Sequence, residues 1–70
     1  MAIETGDKVQ WKWGEGTASG TVQKTYAESV TRTIKGTDVT RNGSSDDKAL
    51  YIEQDDGDAV LKLASEVTKA

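Results

Sequence analysis

Asp55, Asp56 and Asp58 form the densest cluster of chemistry-bearing side chains in the sequence. Carboxylates this close are what a hard cation, or a general acid paired with a base, requires. Their setting argues for something plainer. The donor spacing of a calcium-binding loop is absent, and Asp56-Gly57 lies between two strand-like runs, the strongest short signal for a hairpin turn. A two-carboxylate hydrolase also needs a pocket, which an exposed turn does not supply. A second cluster, Arg32, Lys35 and Arg41, has the chemistry to touch phosphates. Three such contacts give weak, salt-sensitive binding, and no aromatic lies between them to stack a base. They are the candidates for nucleic-acid contact, against a plainer role as a charged strand edge that discourages pairing with other chains. The aromatics are Trp11, Trp13, Tyr26 and Tyr51, with no phenylalanine. Serine and threonine are plentiful, but the sequence has no histidine and no cysteine to activate them or to hold a transition metal. No nucleophile elbow, phosphate-binding glycine loop or dinucleotide fingerprint is present. The expectation is a non-enzyme with no catalytic residue, no metal ligand and no cofactor.

Whatever these residues do, a small scaffold must position them. Seventy residues make one domain, 1–70, near the lower limit of independent folding. Without a disulfide or a metal, the core has to come from tightly packed aliphatic and aromatic side chains, or from self-association. The formal net charge of −3 weakly disfavours nonspecific binding to nucleic acid or to anionic membrane. The opening Met1 to Asp7 lacks the basic and apolar segments of a signal peptide. No run approaches the ~20 apolar residues that span a bilayer. With no cysteine, these features lead to an expected cytoplasmic location and no membrane partner.

Period-two alternation supplies the elements. In Lys8 to Trp13, Val9, Trp11 and Trp13 share one face and the polar residues the other, a half-buried strand. Gly14 to Gly16 turn the chain. Thr17 to Tyr26 is a second strand, with Ala18, Gly20 and Val22 on one face; Gly20 marks a bend or bulge. Residues 27–48 are polar. Ser29 to Ile34, a turn at Lys35 to Asp38, and a return over Val39 to Arg41 read as a partly mobile β-hairpin excursion contributing little core, because a plain coil of that length is unusual in a small domain. Ala49 to Gln54 and Ala59 to Leu63 are further strands about the Asp-Gly turn. Ser65 to Thr68 reads as a C-terminal helical turn capped by Ser65, with Val67 plugging the end. The predicted core is Val9, Trp11, Val22, Leu50, Ile52, Leu61 and Leu63. About five short strands with glycine turns predict an all-β small barrel.

Gly6-Asp7-Lys8-Val9-Gln10-Trp11-Lys12-Trp13, Gly16 through Val22, Thr31 through Gly43, Tyr51 through Gly57, and Val60-Leu61-Lys62 with Ser65-Glu66 together resemble the hypervirulence-associated Tudor domain family. The resemblance covers nearly the whole chain. It implies an SH3-like barrel of the Tudor type and carries no activity with it. Tudor-type barrels elsewhere bind methylated lysine or arginine in cages of aromatic rings through cation–π attraction. Here a small core without phenylalanine is expected to claim at least one tryptophan. The rings left for a ligand surface are Trp13, Tyr26 and Tyr51, with Tyr51 expected to point outward, opposite Leu50 and Ile52. Glu53 and Asp55 beside it would favour a cationic guest. The leading function is a non-catalytic binding module for a protein or peptide partner, or one that self-associates. The alternative is a nucleic-acid-associated accessory domain.

Overall fold

The alternating runs become strands, and the glycine-rich and Asp-Gly segments become the turns between them. The computed structural model of the chain describes residues 3–70. In order, the elements are β1 (Lys8–Trp13), β2 (Gly16–Tyr26), β3 (Ser29–Ile34), β4 (Thr37–Asn42), β5 (Ala49–Gln54), β6 (Ala59–Leu63), a 3₁₀ turn (Ala64–Glu66) and β7 (Thr68–Lys69). Five strands form one antiparallel sheet in the order β6-β5-β2-β1-β7, and β3 and β4 form a separate hairpin. β6 and β7 are opposite edges of the sheet, yet only the 3₁₀ turn and Val67 separate them in sequence. The sheet must therefore curl round on itself. This is the small all-β barrel expected from the alternation and the turns, carrying a β-hairpin excursion, and it agrees with the SH3-like form that the family resemblance implies.

β2 makes the curl possible. Its eleven residues would span roughly 33 Å if straight, beyond the 31 Å longest dimension of the molecule. Its first half pairs with β1 and its second with β5, and both partners meet it at Gly20, opposite Val9 and Gln54. A Cβ on Gly20 would lie 2.5 Å from the Glu53 carbonyl oxygen and 2.7 Å from Ile52 Cγ2, so no side chain fits there. The ladder slips between Val22 and Lys24, a bulge that bends the strand three residues beyond the glycine.

The register sorts the apolar residues into two layers, since residues directly opposite in an antiparallel pair share a face. Val9, Trp11, Val22, Leu50 and Ile52 form the inner cluster, with Ile3, Ala18, Val60, Ala64 and Val67 packed against it. Fully burying each large member contributes about 1.5–3 kcal/mol. Leu61 is also buried, at 2% exposure, but it stands opposite Tyr51, on the other side of the sheet from Leu50 and Ile52. The sequence reading placed Leu61 and Leu63 in one core with Leu50. The structure buries Leu61 as expected, in an outer layer with Ala49 and Tyr51, and corrects the placement of Leu63, which is only half-buried. The cover is the β3–β4 hairpin. Val30, Arg32 and Ile34 of β3, and Val39 and Arg41 of β4, are its half-buried face, and Thr31, Thr33 and Thr40 lie exposed on the other. The excursion thus roofs the outer face of β5 and β6 despite its polar composition.

The C-terminus differs from expectation in the cap of its turn, in the turn's span and in its last residues, which form a strand. The helical turn spans Ala64–Glu66, with Leu63 rather than Ser65 at its N-cap. The Glu66 carboxylate accepts the Leu63 N–H at 2.8 Å. Ser65 instead donates its N–H and its hydroxyl to Asp47, both at 2.8 Å, fastening the 43–48 loop to the turn. Val67 is extended, and Thr68–Lys69 pairs with β1.

Candidate functional site

The aromatic candidates separate into two sites at opposite ends of β2. Tyr26 closes the strand and Tyr51 lies on the neighbouring β5, where its partner across the ladder is Lys24. Both rings face the roof, and Arg32 of β3 descends onto them. Its guanidinium carbon lies 5.0 Å from the Tyr51 ring centroid and 5.7 Å from that of Tyr26, within cation–π range. Arg32 Nη2 also donates a hydrogen bond to the Tyr26 hydroxyl, which raises the guanidinium pKa further above its already high value. Tyr51, expected to point to solvent, is half-buried because the hairpin covers its face. The two tyrosines therefore already hold a cation, supplied by the chain itself.

The other two basic candidates are partnered as well. The Lys35 ammonium lies 2.8 Å from Asp58 Oδ2, and this hydrogen bond and charge raise its pKa. Arg41 Nε lies 3.1 Å from Glu66 Oε1, the carboxylate that also receives the Leu63 N–H. All three cations on the hairpin are thus engaged by groups of the barrel. Asp55 accepts a 3.0 Å hydrogen bond from the Ser19 hydroxyl and lies 3.3 Å from Lys8 Nζ, and these contacts lower its pKa. Asp56 Oδ1 accepts the Asp58 N–H at 3.0 Å, an aspartate turn within the β5–β6 connection. Glu53 is exposed on β5, opposite Thr21 and Ala59.

Trp13 stands apart from the tyrosines. It ends β1, paired with Gly16 at the start of β2. At 72% exposure it is the one large apolar side chain left open among the described residues. It lines a groove of about 360 Å³ together with the apolar Ile34 and Val60 and the charged Lys35, Asp56 and Asp58. Four parts of the fold converge there: the end of β1, Ala18 of β2, the tip of the β3–β4 hairpin and the β5–β6 connection. The hairpin tip is a tight two-residue turn with Lys35 at φ 52° and Gly36 at φ 78°. Positive φ at both central residues is the type I′ geometry that favours Asn-Gly, so Lys35 holds a backbone conformation unfavourable for its side chain.

Of the sequence-derived ligand set, the structure joins Tyr26 with Tyr51 and leaves Trp13 separate. Glu53 and Asp55 are not among the groove's lining residues. The groove's acidic residues are Asp56 and Asp58, which sequence reasoning assigned to a turn. The turn assignment holds, and the same turn lines the groove. Only the folding of the hairpin onto β6 brings Ile34 and Lys35 to it, so no local pattern announced it.

No curated protein and no solved structure matches the chain. A family model does match, that of the hypervirulence-associated proteins' Tudor domain, over residues 6–67. The span runs from the Gly6-Asp7 turn through the barrel and its roof to Val67, and by that match the chain belongs to the hypervirulence-associated Tudor domain family.

Proposed function

We propose that this domain is a non-catalytic binding module that meets a protein partner through the groove beside Trp13. One observation carries the reading. Among the described residues no other large apolar side chain is exposed, and this tryptophan, 72% open, lines a groove with Ile34 and Val60. Tryptophan is enriched among the residues that dominate binding energy at interfaces, because one ring covers a large area at little entropic cost. The chemistry of the chain supports the non-catalytic part, since it has neither histidine nor cysteine to serve as base or nucleophile. No helix among the described residues is long and apolar enough to cross a membrane. A cysteine-free chain suits a reducing compartment such as the cytoplasm. The nucleic-acid alternative would draw on Arg32, Lys35 and Arg41, whose charges are already engaged within the fold.

The test begins with a photo-crosslinking residue at position 54 or 59, which line the groove, in the native host. The partner it identifies is then purified and titrated against the domain. Loss of at least about tenfold in affinity on Trp13→Ala, with the fold intact, is the expected result. A partner that binds Trp13→Ala as well as wild type would reject the groove.

A further inference from the structure

The sheet ends at β6, and the backbone of that last strand is not fully used. Building on the binding-module reading above, we infer that an extended segment of the partner adds as a strand to the outer edge of β6, beside the β3–β4 hairpin, with apolar and acidic side chains alternating along it. The first observation is the phase of the ladder. Gln54 donates its N–H to the Asp58 carbonyl at 2.6 Å, and Ala64 donates its N–H to the Lys48 carbonyl at 2.8 Å. In an antiparallel pair every second residue bonds the neighbour, and the residues between turn their N–H and C=O the other way. Val60 and Lys62 therefore bond β5, while Ala59, Leu61 and Leu63 turn their backbone groups outward. The Leu63 N–H goes to the Glu66 carboxylate. No strand pairs with this edge among the described residues, since β6 ends its sheet and the hairpin forms a sheet of its own. Leu61 is 2% exposed, so its outward N–H and C=O are withdrawn from water without a ladder partner, a cost that an added strand relieves.

The second observation is shape. A groove of about 180 Å³ is lined by Val60, Leu61 and Lys62 of β6 and by Ile34, Val39 and Arg41 of the hairpin. Consecutive strand residues project to opposite faces, so a groove touching three in a row follows the edge of the strand. Ile34 and Val60 also line the groove beside Trp13, so the two grooves are neighbours along β6. From residue 59 to residue 62 the path takes about four extended residues, roughly 13 Å. The third observation is charge. Arg41 and Lys62 are the charged residues lining this slot. Lys62 forms no ion pair among the described residues, and Arg41 shares Glu66 with the Leu63 N–H. In a chain of net charge −3 this slot is locally basic, which suits acidic side chains on either side of an apolar one seated against Val39 and Leu61. Main-chain bonds to the edge supply affinity, and the alternate side chains supply selectivity.

The probe is a capped peptide, Ser-Val-Glu-Val-Glu-Val-Ser, with a version carrying lysine in place of glutamate. Two further versions are N-methylated, one on the valines and one on the glutamates. The parent peptide is expected to shift the amide signals of Ala59 and Leu61 and to slow exchange of the Leu61 N–H by about tenfold. An added strand turns only every second N–H toward β6, so one N-methylated version should lose at least about tenfold more affinity than the other. The lysine version should bind about tenfold more weakly than the parent. Ala59→Pro removes an outward N–H and leaves the bonds to β5 in place, so the melting temperature should hold while binding falls by about tenfold. If proline disturbs the fold, the two N-methylated peptides on the unaltered protein decide. Equal loss from both N-methylations, equal binding of the lysine version, or no shift at millimolar peptide would each overturn the inference. A crosslinked and purified partner that needs Trp13 but binds Ala59→Pro normally leaves the binding-module reading standing and removes this one. A partner lost on Ala59→Pro but indifferent to Trp13→Ala does the reverse. A concentration-dependent increase in mass that Ala59→Pro abolishes would make the added strand a second copy of β6, and would also overturn the inference.

Discussion

The two ends of β2 hold aromatic rings in opposite conditions. At one end Tyr26 and Tyr51 are covered by the hairpin and bound by Arg32. At the other, Trp13 is open beside a groove. The difference follows from where the roof lands. The inward face of β3 carries its cation two residues before its apolar tip, so Arg32 meets the tyrosines while Ile34 and Lys35 reach the groove. Aromatic residues of similar chemistry thus divide into a clasp that holds the fold together and a surface left for something else. An exposed ring is a candidate for binding only when the fold does not already use it.

The largest expected effect breaks the clasped end. Leu61 is buried beneath the roof, and Leu61→Ala should cost about 2–5 kcal/mol, enough to unfold much of so small a domain. Denaturant titration measures it. An unchanged midpoint would mean that the outer layer contributes nothing to stability. Arg32→Leu removes the cation from the tyrosine pair. It should lower the melting temperature by less than Leu61→Ala and speed amide exchange across Thr31 to Arg41 more than in β5. Uniform acceleration over the whole barrel would show that the roof and the barrel open together rather than separately.

A smaller effect is expected from acid. Asp55 has its carboxyl held below the ordinary value of 3.8 by the Ser19 hydroxyl and by Lys8. A carboxyl with a depressed folded-state pKa adds stability that is present above the unfolded value and lost as pH falls through the folded one. Asp7 acts in the same direction, through the Glu4 N–H and then Lys69. Stability should therefore decline below about pH 4, and the decline should be shallower in Asp55→Asn. An identical acid limb in both proteins would discount the Asp55 contacts. The smallest effect belongs to the open end. Trp13→Ala should leave stability within about 0.5 kcal/mol of wild type, because the ring is mostly in solvent. A loss comparable to that of Leu61→Ala would make Trp13 a packing residue and remove the contrast.

Much of the architecture was legible in the order of the residues. The alternation of Val9 and Trp11, of Ala18, Gly20 and Val22, and of Leu50 and Ile52 gives strands with one buried face, because side chains project to opposite sides at every step. The Asp-Gly and Lys-Gly turns mark hairpins for local conformational reasons. Even the inward face of the roof, Val30, Arg32 and Ile34, shows in its period. Where that face lands is a different kind of fact. The packing of the hairpin against β6, the assignment of Leu61 to an outer layer, the capture of Arg32 by Tyr26 and Tyr51, and the approach of Lys35 to Asp58 all join residues distant along the chain. Local periodicity reports which side of a strand a residue faces. It cannot report what covers that side, because the cover is chosen by the curl of the sheet and the bulge in β2. The sequence by itself determined the strands up to β6, their turns and most of the inner cluster, but not β7, where it read a helical turn. Only the tertiary structure decided which aromatic rings serve the fold and which remain free to bind.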